Sequence, residues 1–119
     1  MEGDKKFDLG ERTQKFGEGI IRFSRGIKVT PITAPIINQL VRSGTSIGAN
    51  YMEADGAESR NDFIHKIGIC KKEAKETLHW LKMVAIADVG KQADCRNLWK
   101  EAHELVLIFS SIIRNTGRR

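Results

Sequence analysis

Apolar side chains in this chain recur at steps of three and four residues, in four blocks separated by short breaks marked by glycine or proline. That spacing puts the apolar residues of each block on one face of a helix. Two prolines and 7% aromatic residues give no support to a strand-rich alternative. A length of 119 residues allows one domain and leaves no room for a catalytic domain beside a binding domain.

The first block runs from about Leu9 to Ile27. Asp8 and Glu11 have the spacing of a capping box, and Phe16, Ile20, Phe23 and Ile27 follow on one face. Gly10, Gly17, Gly19 and Gly26 weaken this helix by roughly 1 kcal/mol each relative to alanine, so it must draw its stability from packing. Gly19 lies near the apolar stripe and suits a close helix approach; Gly17 has no evident packing role from the wheel. The second block, about 34–55, follows Lys28-Val29-Thr30-Pro31. Thr33 is the expected cap, Pro35 sits in the first turn, and Ile36, Leu40, Ile47 and Ala54 line one face up to Gly56. The third block, about 60–89, opens on Ser59-Arg60-Asn61-Asp62, an S-x-x-D cap. Its stripe is Phe63, Ile67, Cys70, Ala74, Leu78 or Thr77, Leu81 and Val84 or Ala85, with a stop at Gly90. The fourth, about 95–115, starts near Asp94 as N-cap. It carries Leu98, Ala102, Leu105, Phe109 and Ile112 inward, with Trp99, Val106 and Ile113 beyond what one stripe needs. It ends at Asn115-Thr116-Gly117, before the basic pair Arg118-Arg119.

Four helices with short connections predict an all-α fold, an antiparallel up-down-up-down four-helix bundle filling residues 1–119 as a single domain. A three-helix protein with a frayed first helix is the alternative. No apolar run reaches about 18 residues, so no membrane span is expected. The opening MEGDKKFDLG lacks an apolar core, so no secretory signal is expected. Two cysteines without C-x-x-C spacing suit free thiols in a reducing cytoplasm.

Catalytic chemistry finds little purchase. Glu76-Thr77-Leu78-His79 has the Glu-x-x-His spacing of di-iron bundles, but no second such motif accompanies it. Cys70 falls on the core stripe. Cys95 lies near a helix start, a setting that lowers a thiol pKa, with no histidine predictably beside it. No phosphate-binding glycine loop occurs. No enzyme activity, metal, cofactor, small-molecule substrate or catalytic residue is therefore expected.

The third helix shows two further faces. Ile69, Glu73, Glu76, Trp80 and Ala87 form a mixed apolar and acidic face, read either as a partly solvated flank or as a subunit interface. Arg42, Ser43, Ser46, Asn50 and Glu53 on the second helix make a polar set whose natural partners are Glu73 and Glu76. That set, with Trp80, is read as a polar network fixing helix register or clamping an interface; a ligand site built from the same groups is the alternative. Lys71, Lys72, Lys75, His79 and Lys82 form a basic face, either simply solvated or binding nucleic-acid phosphates. The net charge of +5 permits an anionic partner without requiring one.

The stretch Gln39 to Leu81, QLVRSGTSIGANYMEADGAESRNDFIHKIGICKKEAKETLHWL, resembles the signature of the 23S rRNA-intervening sequence proteins. That pattern reads QL-x-RS-x-x-SI-x-AN, then EA, SR-x-DF and KEA-x-ET-x-x-WL. Gln39, Leu40, Arg42, Ser43, Ser46, Ile47, Ala49, Asn50, Glu53, Ala54, Ser59, Arg60, Asp62, Phe63, Lys72, Glu73, Ala74, Glu76, Thr77, Trp80 and Leu81 supply it in order. Gly44, Tyr51 and His79 depart mildly from it. The resemblance implies a bacterial, cytoplasmic four-helix bundle that assembles as a ring, commonly a homopentamer, with no attributed enzyme activity. Similar bundles that accompany retroelements bind nucleic acid and a reverse transcriptase, which makes RNA or DNA an expected partner by analogy. A structural or protein-interaction module that binds no nucleic acid is the alternative function.

Overall fold

A computed structural model describes residues 8–117. The segment 1–7 and Arg118-Arg119 lie outside the described residues. Four α-helices follow in order: α1 (Leu9–Arg25), α2 (Thr33–Asp55), α3 (Arg60–Ala87) and α4 (Gln92–Gly117). A short 3₁₀ turn, Val89–Lys91, links α3 to α4. α1 is a continuous helix, which removes the three-helix alternative.

The contacts between helices run in opposite senses along each pair. On α2 and α3, Arg42 meets Glu73 and Glu76, Ser43 meets Thr77, the Ile47 carbonyl meets Cys70, and Glu53 meets Lys66. Between α3 and α4, Lys82 lies against Trp99 and Ala85 bonds Gln92. Arg12 pairs with Glu101 across α1 and α4. Rising numbers on one helix meet falling numbers on the next, so the bundle is antiparallel. α1 and α4 meet more sparsely than the other neighbours. Ile20, Leu40, Ile47, Ile67, Cys70, Leu81, Leu105 and Phe109 fill the interior and are fully buried.

Local chemistry sets the helix ends. The Asp8 carboxylate accepts the Glu11 N–H at 3.1 Å, and the Ser59 hydroxyl accepts the Asp62 N–H at 3.0 Å. Both are the caps expected from spacing. Elsewhere the ends shift. Thr30, not Thr33, serves the first turn of α2: its hydroxyl accepts from the Ile32 and Thr33 amides. Thr33 turns back to donate to the Lys28 carbonyl at 2.7 Å. α1 stops at Arg25, with Gly26 returning its N–H to the Phe23 carbonyl. α3 stops at Ala87, two residues early, because Asp88 swings to an extended backbone and accepts the Gly90 N–H. The 3₁₀ turn then feeds α4 from Gln92, so Asp94 lies inside the first turn and is not its N-cap.

The α1–α2 crossing corrects the reading of Gly17. A Cβ at Gly17 would lie 3.6 Å from the Thr45 Cα, at Gly48 3.4 Å from the Thr13 carbonyl oxygen, and at Gly44 2.9 Å from the Ile20 side chain. These three glycines bring the two helices together. Gly19 meets only the Leu98 side chain, at 3.8 Å.

Candidate functional site

Two surface clusters occupy opposite flanks of α3. On the α2 side, the Arg42 guanidinium donates to Glu73 at 3.1 Å, to Glu76, and to the Gln39 side-chain oxygen at 3.0 Å. Glu76 also accepts the Trp80 indole N–H at 3.0 Å. Beneath them the buried hydroxyls of Ser43 and Thr77 lie 3.0 Å apart, and Thr77 also reaches the Glu73 carbonyl. The structure thus joins Arg42, Ser43, Glu73, Glu76 and Trp80 in one network between α2 and α3. It does not draw in the rest of the predicted set. Asn50 donates back to the Ser46 carbonyl of its own helix, and Glu53 pairs with Lys66 at 2.7 Å.

The Trp80 indole N–H and the Arg42 guanidinium hold the Glu76 carboxyl below the usual carboxylate range. A depressed carboxyl pKa stabilises the fold above the unfolded value of about 4.3 and ceases to do so as pH falls through the folded value. Acid unfolding followed by circular dichroism is therefore expected to show Glu76→Gln costing ~1 kcal/mol near neutrality. That cost should vanish in strong acid. The Glu76 Oε2 takes both the Arg42 and the Trp80 donors of this helix clamp, and among the described residues no three His, Cys, Asp or Glu side chains converge as a metal site.

The thiols behave as interior groups. Burial pushes Cys70 up to about 12 and Cys95 up to about 11, with Asp94 and Asp88 adding to the Cys95 shift. Cys95 does lie in the first turn of α4, but its thiol pKa is not lowered there because it is buried in the core and flanked by carboxylates. Native protein at pH 8 should react with a thiol reagent at least about 100-fold more slowly than unfolded protein. Fast native labelling of either cysteine would contradict their burial.

The other flank of α3 faces α4. Lys71, Lys72 and Lys75 surround Gly68 in a shallow depression. The Lys82 ammonium lies 5.7 Å from the Trp99 ring centroid, and His103 stacks on the same indole at 5.0 Å and 15°. His79 sits edge-on to Trp80 at 4.7 Å, between the two clusters. The helical repeat adds Arg96, Lys100 and Arg114 of α4 beside this face. The core stripe of α4 alone does not point to these cations. The signal that does is the recurrence of Arg96, His103 and Arg114 at steps of 7 and 11 residues, close to whole numbers of helical turns.

The acids of the same two helices are directed elsewhere. Glu73 and Glu76 turn to Arg42 on α2. Glu101 and Glu104 turn to Arg12 on α1, the former through a bidentate pair at 2.7 and 2.9 Å. Asp62 and Asp94 occupy first helical turns. Among the described residues no ion pair holds Lys71, Lys72, Lys75, Lys82, Arg96, Lys100 or Arg114. The lysines of α3 and the cations of α4 therefore leave net positive charge on the outer side of these two helices.

An all-helical bundle with a helix clamp on one flank and cations on the other defines a small helical scaffold. The chain belongs to the 23S rRNA-intervening sequence protein family, which it matches over residues 5–111. It is similar to a protein of unknown function from the S23 ribosomal protein family of Bacteroides thetaiotaomicron. The two share 31% identity and a TM-score of 0.79, over 88% of this chain and 97% of that one. No curated protein matches the chain. Among the described residues no helix is long and apolar enough to cross a membrane.

Proposed function

We propose that this protein is a non-enzymatic, homo-oligomeric bundle of the cytoplasm that binds structured RNA or DNA through its α3–α4 flank. The observation that carries the reading is the partition of charge: the glutamates of α3 and α4 pair with neighbouring helices, while the cations between them have no ion pair among the described residues. Such a surface engages phosphates and carries no base-reading motif. Lys71, Lys72, Lys75 and Lys82 would make the contacts on α3, with His79 at their edge. Self-association, as the pentameric ring the resemblance implies, would multiply these surfaces in one particle.

Fluorescence anisotropy with an RNA hairpin tests the reading. Binding at 50 mM salt that weakens by about 10³-fold at 200 mM supports it; no binding at 50 mM overturns it. Light scattering tests assembly, and a monomer at micromolar concentration overturns that part.

A second reading, a protein-interaction module without nucleic-acid binding, is favoured by a different feature. Val29 and Ile32 in the α1–α2 connection, and Ile86 and Val89 near the α3–α4 connection, are all at least 68% exposed. The two connections lie at one end of the antiparallel bundle, where a Cβ at Gly26 would come within 3.2 Å of the Lys91 ammonium. Apolar groups gathered at one end suit a protein partner.

A further inference from the structure

Resting on the nucleic-acid reading of the same flank, we infer that the ligand is a double helix and not a single strand. α3 and α4 run side by side and antiparallel, and adjacent helix axes lie about 8–10 Å apart. Each carries its own row of cations outside any ion pair. On α3 the row is Lys71, Lys72, Lys75 and Lys82, spanning about 16 Å at the helical rise. On α4 it is Arg96, Lys100 and Arg114, spanning about 27 Å. The contact of Lys82 with Trp99 fixes the register, so that Arg96 and Lys100 stand beside the upper part of the α3 row and Arg114 lies past its lower end. Two staggered cationic rows separated by about 10 Å match two phosphate strands flanking a groove. The major groove of B-DNA is about 12 Å wide, and the minor groove of A-form RNA is likewise wide and shallow.

A single strand presents one phosphate row and gains its affinity by stacking its bases on aromatic side chains. The tryptophan of this flank is already engaged. His103 stacks on Trp99, the Lys82 ammonium lies over the same ring, and the indole nitrogen is buried. The flank therefore supplies charge in two rows, and the exposed rings beside it, the imidazoles of His79 and His103, are too few to stack a run of bases. Recognition is by the shape and charge of the duplex backbone and is indifferent to sequence.

The test compares a 20-base-pair RNA duplex, the corresponding DNA duplex and each single strand at 50 mM salt. The duplexes are expected to bind at least about 10-fold more tightly than single strands of the same length. Lys75→Glu and Lys100→Glu, one from each row and both exposed, should each weaken duplex binding by about 10-fold. Lys15→Ala, on α1 and ion-paired with Glu11, should leave it within about twofold. Circular dichroism checks that the variants are folded. Single strands that bind as tightly as duplexes, or a Lys100→Glu variant that binds like the parent, would overturn the duplex inference and leave the nucleic-acid reading standing. Absence of binding to every one of these probes overturns both.

Discussion

Gly44→Val is expected to destabilise the bundle by ~3 kcal/mol, the upper part of the range for overpacked interiors. Even a single Cβ at this position would meet three atoms of Ile20 at 2.9, 3.0 and 3.3 Å. Ile20 cannot swing away, because it is fully buried and held from the other sides by the core. α1 must then retreat from α2, and the neighbouring approaches at Gly17 and Gly48 open with it. Urea unfolding measures the loss. Gly68→Ala is the control, since a methyl group there would have nothing within 4 Å and the helix gains propensity. It should stabilise by ~0.5–1 kcal/mol. A double variant combining Ile20→Ala with Gly44→Val should be less destabilised than the sum of the singles, because the smaller side chain yields the space. Additive losses would show that the clash is not what Gly44 avoids.

Phe109→Ala should cost more, ~3–5 kcal/mol. Phe109 is the largest fully buried side chain and sits in the lower half of α4. Its removal takes away apolar burial and leaves a cavity lined by a close-packed interior that collapses only in part. Domains of this size are stable by roughly 0.05–0.15 kcal/mol per residue, so the loss is a large fraction of the total. The variant should melt many degrees below the parent in thermal unfolding. α4 has few contacts with α1 and many with α3, and Phe109 belongs to the core on which it is seated. Hydrogen exchange should therefore quicken first in the last turns of α4. A shift of only a degree or two would mean that the core reorganises to refill the space.

Much of the architecture is legible because it is written locally. Periodicity locates four helices, and the caps at Asp8 and Ser59 need only neighbours three residues away. What sequence alone does not supply is which helix faces which at a given level. The role of Gly17 depends on Thr45, 28 positions later, and the Arg12–Glu101 pair joins residues 89 apart. Thr77 and Leu78 are equally good core candidates by spacing; the Ser43 hydroxyl across the interface makes Thr77 the one that goes inside. The helix end near Asp88 shifts for a different reason. The carboxylate there bonds the Gly90 amide and starts a 3₁₀ turn, a competition between local hydrogen bonds that periodicity does not register. On the surface, the α3 lysines are readable from their own helix, whereas the contribution of α4 requires knowing that the two helices are adjacent.

The inward pairing of the acids has an effect on motion as well as on contact. With positive charge left on one flank and carboxylates turned toward α1 and α2, the molecule is electrically lopsided across its short axes, which measure 29 and 20 Å. In the field of any polyanion it feels a torque as well as a pull. Rotational diffusion is then biased before the surfaces touch, and the cationic flank leads on approach. Counter-ions erase that bias beyond a Debye length, about 8 Å at physiological salt, so the orientation is imposed only in the last ångströms of an encounter.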